Sequence, residues 1–310
     1  MEFIMPKFKL FIVCASLFTT IVFPQIKVTK IEKLNIDTNQ KWWAPVFSPD
    51  GNKIYVTNDS YNGIWEYTSS SKSLRMITND AGSGFEFTIS PDGKQIAYRT
   101  SVYFKGNPGR KQDAIVMDLQ SGSKSVLATG EDISTPRFSK NNLIYSVNGE
   151  LKNLAKSSSE IDFLGIESSK IIMNINGQKT IVDPIKDGSY MWFSFSPDKK
   201  KYVAYDVRIG TFIGDLKGKI YSKIGRRDAA NWTRDGKWLI FMNDNDDGHN
   251  ITESEICAIS PNGKKIISLT KTKNEAELYP SCSPVANEIV YCTLKGDLFL
   301  MKYKLLGEVK

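Results

Sequence analysis

His249 is the single histidine in 310 residues, and the four cysteines never form a Cys-x-x-Cys pair. One imidazole leaves little material for a Ser-His-Asp relay or a histidine-built metal centre. Without paired cysteines, neither a zinc ribbon nor a dithiol redox motif is supported. There is no Gly-x-Ser-x-Gly, so the strained turn that presents a serine nucleophile is missing as well. The net charge of +7 is scattered, with no Lys/Arg block interleaved with aromatics, which argues against nucleic acid as a partner. One apolar run stands out, Leu10 to Phe23 behind Lys7 and Lys9. It is short for a membrane span and reads as an export signal over residues 1–24, with the mature chain starting near Gln25. Cys257, Cys282 and Cys292 are expected to be buried free thiols, because counting outward from the turn between Cys282 and Cys292 puts that pair out of register.

What the chain has in quantity is one kind of turn. Ile89-Ser90-Pro91-Asp92-Gly93-Lys94-Gln95-Ile96-Ala97-Tyr98 is a β-hairpin in ten residues. Pro presets φ at a turn corner, Asp can bond its own backbone, and Gly accepts the positive φ that closes the loop. The same pattern starts at Phe47-Ser48, Phe138-Ser139, Phe195-Ser196, Trp232-Thr233 and Cys282-Ser283. Counted from Ser48 through Ser90, Ser139, Ser196, Thr233 and Ser283, the spacings are 42, 49, 57, 37 and 50 residues. Those intervals suit a four-stranded propeller blade. Within each interval, further alternating strands follow, such as Gly63 to Tyr67 and Ala114 to Leu119. Short alternating strands bury little alone, but stacked radially they cover both faces and leave only short edges.

The expected fold is therefore all-β: a six-bladed β-propeller of four-stranded antiparallel blades over residues 25–310, with blades starting near 44, 85, 134, 191, 229 and 279. The last blade stops one strand short, and Ile26 to Leu34 is an orphan strand ahead of the first. Pairing the two would close the ring. The third unit departs most from the pattern: Lys140-Asn141-Asn142 replaces Pro-Asp-Gly. Extra strand-like pieces such as Ile171 to Ile175 leave room there for an irregular seventh blade.

The repeated Phe/Trp-Ser-Pro-Asp-Gly-Lys-x-Ile-Ala-Tyr pattern resembles the TolB-type, WD-like propeller repeat of exported bacterial proteins, and related propellers occur in prolyl oligopeptidase-type enzymes. The resemblance implies a rigid binding platform in the periplasm or outside the cell, a monomer with a protein or peptide partner. Neither the separate N-terminal domain of TolB nor an α/β hydrolase domain is expected in this chain, so neither role is carried over.

No catalytic residue or obligate cofactor is expected. The loops leading into the inner strands converge on the mouth of the central channel and carry Trp42, Trp43, Phe85, Glu86, Tyr190, Met191, Trp192, Asp228 and Tyr279. Aromatics with a few charges on a rigid scaffold are typical hot-spot material, although alternation along a strand should turn about half of them into core. A hydrolase or lyase using channel carboxylates, or a carbohydrate-binding propeller, are the competing functions. The loop Asn243 to Glu255 clusters oxygen donors (Asn243, Asn245, Asp247 and Glu253) around Gly248, a set that would suit calcium. A surface turn whose Asp and Asn side chains cap backbone amides accounts for the same residues.

Overall fold

The computed structural model describes residues 25–36, 40–103, 109–140, 142–153 and 161–306; the expected export signal over residues 1–24 lies outside them. Every regular element among these residues is a strand, and no helix is long and apolar enough to cross a membrane.

The recurrent turn forms as its residues demand. Ser48 Oγ donates to Asp50 Oδ1 at 2.5 Å and accepts the Lys53 amide at 3.0 Å. Ser90 with Asp92, Ser196 with Asp198 and Thr233 with Asp235 repeat the bond at 2.6, 2.7 and 2.6 Å. The hydroxyl clamps the carboxylate that in turn caps the backbone, and the same bond holds Asp50, Asp92 and Asp198 below the usual carboxylate range. Gly51, Gly93 and Gly236 close their turns at φ between 68° and 73°.

Each turn joins an inner strand to its neighbour in an antiparallel sheet. The first blade comprises Trp42–Phe47, Lys53–Asn58, Ile64–Thr68 and Ser73–Thr78. The second comprises Phe87–Ile89, Gln95–Arg99, Arg110–Asp118 and Lys124–Gly130, with Val102–Tyr103 added beside the third strand. Arg137–Ser139, Asn142–Val147 and Glu150–Lys152 form a third sheet, and Ile161–Glu167, Lys170–Ile175 and Gln178–Val182 a fourth. The fifth is Tyr190–Phe195, Lys201–Asp206, Gly210–Asp215 and Ile220–Gly225; the sixth is Asp228–Trp232, Leu239–Asp246, Ile251–Ile259 and Ile266–Ser268. The last combines Glu277–Cys282, Glu288–Thr293 and Leu298–Leu306 with the N-terminal strand Gln25–Lys33, which pairs antiparallel to Leu298–Leu306 from Gln25↔Leu306 to Lys33↔Phe299.

The propeller thus has seven blades, not the six expected, and two of its sheets have three described strands instead of four. The physical reason lies in the fourth blade. Its first described strand starts at the end of the ring that carries the recurrent turns, where the Ile161 carbonyl accepts Lys199 Nζ at 3.0 Å and Asp162 accepts the Ser139 hydroxyl at 2.6 Å. It ends where Glu167 meets the Ser146 hydroxyl, at the opposite end of the sheet. It runs away from those turns, the direction taken by the second strand of the other blades. The hairpin that would carry a Ser-Pro-Asp-Gly turn is not made by its described strands, so six motifs mark a ring of seven.

Apolar clusters seal every junction. Tyr55, Ile64, Ile96 and Tyr98 fill the space between the first two blades, and Met173, Tyr190, Tyr202 and Phe212 that between the fourth and fifth. Leu239 and Phe241 face Val203 and Ile213, and one large cluster joins the sixth, seventh and first blades with Ile26 of the closing strand. The junctions on either side of the third blade are thinner, with Ala114, Ile133 and Tyr145 on one side and Ile144, Leu164 and Ile172 on the other. Cys257, Cys282 and Cys292 are free thiols, as their register requires.

Candidate functional site

Six inner strands run from one face of the ring, here the upper face, down to the lower turns. Side chains at their starts therefore gather above the channel. In the fifth, sixth, seventh and first blades, each inner strand carries the same β-bulge: Met191/Ser194, Asp228/Asn231, Leu278/Ser281 and Trp43/Val46 each span one residue more than their partner strand. The residue after the first of each pair is left-handed: Trp192 at 48°, Ala229 at 50°, Tyr279 at 51° and Ala44 at 45°. A bulge inserts one residue and turns the strand, so simple alternation of faces stops there. It also moves Cys292 opposite Leu278, one residue from the position that plain counting gives.

The bulge sorts the expected site residues. Trp42, Tyr190 and Asp228 are buried, each 3% exposed. Trp43, Trp192 and Tyr279 are half-buried against the large core cluster. Phe85 is 57% exposed, with Glu86 exposed beside it, and Met191 sits at the rim. Trp42 packs edge-on to Trp65 inside the blade, Tyr190 donates to Asp183 at 2.6 Å, and Trp192 meets Tyr205 edge-on.

Four of the aromatics form a continuous arc. Tyr279 lies 5.2 Å from Trp43 between ring centres, the Trp43 indole N–H donates to the Tyr61 hydroxyl at 3.2 Å, and Tyr61 stands edge-on to Phe85 at 5.5 Å. The Arg99 guanidinium continues the arc 5.9 Å from the centre of the Phe85 ring. Beyond it opens a cleft of about 320 Å³ between the second, third and fourth blades, lined by Phe85, Glu86, Arg99, Arg110, Asp132 and Glu167 among others. Glu86 binds Arg137 at 2.8 Å, and Arg137 lies over the Phe163 ring. The sequence gives no sign of Tyr61, Arg99 or Arg110, because they come from one connecting segment and two strand ends that only the ring brings together.

Across the channel the upper face is acidic. Arg226 reaches Asp228 through Nε at 3.3 Å, Asp246 through Nη1 at 2.9 Å and Asp244 through Nη2 at 2.9 Å. Burial pushes the Asp228 carboxyl up to about 6 and the neighbouring Asp244 charge adds to the rise, while Arg226 pulls the other way. Glu277, 1% exposed, is raised to about 7 by burial, and the Thr272 hydroxyl that donates to its Oε1 only partly offsets this. Its Oε2 has no partner. Asp244 and Glu277 escape detection in the sequence because carboxylates are common there and only the tertiary fold buries these two.

The oxygen-donor segment belongs to the sixth blade, and most of it is strand. Asn243 pairs with Glu255 and Asn245 with Glu253 across the ladder, leaving Asp247 to Asn250 as the turn. Asp247 Oδ1 accepts the His249 and Asn250 amides at 2.9 and 2.8 Å. Among the described residues, no three His, Cys, Asp or Glu side chains are grouped to hold a metal ion.

The sequence matches no family model and no curated protein. Solved structures do resemble the fold. TolB from Acinetobacter baumannii superposes with a TM-score of 0.55 at 16% identity over 80% of this chain and 58% of its own, so this chain spans less than two thirds of that protein. Oligogalacturonate lyase from Vibrio parahaemolyticus matches with a TM-score of 0.52 at 10% identity, over 87% and 79% of the two chains. The tricorn protease matches with 0.56 at 15% identity, over 88% of this chain and 27% of its own. The chain shares the β-propeller fold of these proteins.

Proposed function

We propose that this propeller is a binding module that captures a protein or peptide partner on its upper face, in the bacterial periplasm or outside the cell. The aromatic arc supports the reading: Tyr279, Trp43 and Tyr61 hold one another by ring contacts and a hydrogen bond, and the arc ends in exposed Phe85 beside a cleft. Rigid aromatics lose little conformational freedom on binding and dominate most protein interfaces. The likeness to TolB accords with a binding role, and the export-type N-terminus accords with the location.

The test is affinity capture from native envelope and culture supernatant, with the chain from Gln25 as bait. Phe85→Ala, and Trp43→Ala beside it, serve as folded controls. A partner held by the wild type and lost by the variants is expected; equal retention by all three, or none by the wild type, overturns the reading.

One observation favours an enzyme instead. The Asp228 carboxyl, raised to about 6 next to a second carboxylate, is the pattern of a paired acid and base, and one structural neighbour is a lyase. Arg226, which spans three carboxylates, explains the same geometry as a structural clasp. Turnover of glycosidic or peptide substrates that disappears with Asp228→Asn would move the assignment to catalysis.

A further inference from the structure

The cleft between the second, third and fourth blades contains two arginines that have no ion-pair partner among the described residues. Arg99 gives one N–H to the Ile133 carbonyl at 2.8 Å, and Arg110 gives its Nε–H to the Glu131 carbonyl at 3.2 Å. A guanidinium has five donors in a rigid fork, so most of each fork is unused by these bonds. Among the described residues, no carboxylate lies within ion-pairing distance of either. Arg99 is also largely desolvated: burial is the main influence lowering its pKa, the Glu86 charge and, more weakly, that of Asp132 work against it, and the nearby Arg110 charge adds to the lowering. Two cations placed close together, one of them partly out of water, cost stability unless something negative joins them.

The remaining charges on the cleft wall say how negative that ligand should be. Glu86 is committed to Arg137 at 2.8 Å and Glu167 to Lys179 at 2.9 Å. Asp132 is the third carboxylate of the lining, and it is left against two guanidinium groups. The balance is one positive charge, which suits a monovalent carboxylate and disfavours a doubly charged phosphate. Phe85, Ile133, Leu164 and Ile166 give the wall apolar patches between Ser134, Thr135, Ser146 and Ser168, and about 320 Å³ holds one or two amino-acid residues.

We infer that this cleft binds the free C-terminal carboxylate of a peptide through Arg99 and Arg110, with the apolar last side chain against Phe85 and Leu164. The inference rests on the reading of the upper face as a peptide-capturing surface and names the end of the peptide it takes. A planar carboxylate fits a guanidinium fork with two parallel hydrogen bonds, which gives the site direction as well as charge.

The experiment offers three probes to the immobilised chain from Gln25: random hexapeptides ending in a free carboxylate, the same peptides as C-terminal amides, and digalacturonate. The acids are expected to be retained at least tenfold over the amides, with apolar last residues enriched. Arg110→Gln and Arg99→Lys should reduce the acids to the level of the amides. Acids and amides retained alike, yet lost on Phe85→Ala, would overturn the carboxylate site and leave peptide capture on this face standing. Retention of digalacturonate in place of peptides would overturn the peptide ligand. If no peptide is retained while envelope capture still depends on Phe85, the terminal-carboxylate site is refuted and the binding face is not.

Discussion

The closing strand offers the sharpest test of how the ring holds together. Ile26 is 2% exposed and belongs to the core cluster that joins the last blade to its neighbours, whereas Ile31 on the same strand is 43% exposed. Truncating a buried Ile to Ala removes its transfer free energy and leaves a cavity, together about 2–5 kcal/mol. A domain near this size has an unfolding entropy of roughly 0.6 kcal/mol per degree, taken at about 2.1 cal/mol/K per residue. A loss of ~3 kcal/mol then lowers Tm by roughly 5 °C. Ile31→Ala removes the same atoms from a largely solvated position and should stay within about 0.5 kcal/mol of wild type. Calorimetry or circular-dichroism melts on Ile26→Ala, Ile31→Ala and wild type decide it. Equal shifts for the two variants, or no shift for Ile26→Ala, would falsify the view that this strand is an integral part of the last blade.

Three further outcomes follow from other parts of the ring. Glu277 is harder to ionise folded than unfolded, so wild-type stability falls as pH rises from about 4.5 through about 7, each unit of displacement being worth about 1.4 kcal/mol. Glu277→Gln should therefore gain on wild type between pH 5 and pH 8 in paired melts, and a difference independent of pH would place the strain elsewhere. Amide exchange by mass spectrometry should be fastest, among the first two strands of the six blades that carry the recurrent turn, in Arg137–Ser139 and Asn142–Val147, because the clusters flanking the third blade are the thinnest; slower exchange there than in the sixth blade would refute this. Melts with millimolar calcium and with chelator should coincide, since Asp247 already caps two amides; a clear rise with calcium would restore the cation reading of Asn243, Asn245, Asp247 and Glu253.

Most of the fold was legible because its strongest local signal is periodic. Ser, Pro, Asp and Gly act through bonds within about five residues, so Ser48, Ser90, Ser196 and Thr233 mark their turns with no help from the tertiary structure. The fourth blade, the one that raises the count from six to seven, was harder to read for the same reason. Its described strands begin by climbing from Ile161, and hairpins such as Glu167-Ser168-Ser169-Lys170 close it without the motif, with Ser168 and Ser169 both at positive φ. The site residues were half legible. Alternation predicts which aromatics turn inward only until the bulge at Ala44, Trp192, Ala229 or Tyr279 resets it, and nothing local in Trp43-Ala44-Pro45 announces a left-handed alanine. Arg99 and Arg110 carry no local signal at all, because their setting comes from three blades at once.

The irregularities converge on one side of the ring. The fifth, sixth, seventh and first blades share the bulge and have inner strands of five or six residues. The inner strands of the second and third blades are three residues long. Shorter inner strands leave the upper face of that side less filled, which is where the 320 Å³ cleft and its two arginines without ion pairs among the described residues lie. The regular side spends its charges internally, as Arg226 does on three carboxylates. Departures from local consistency that carry no structural gain tend to mark function. The core is thin on both sides of the third blade, beside the cleft, so the irregular side of the ring is where binding is to be sought.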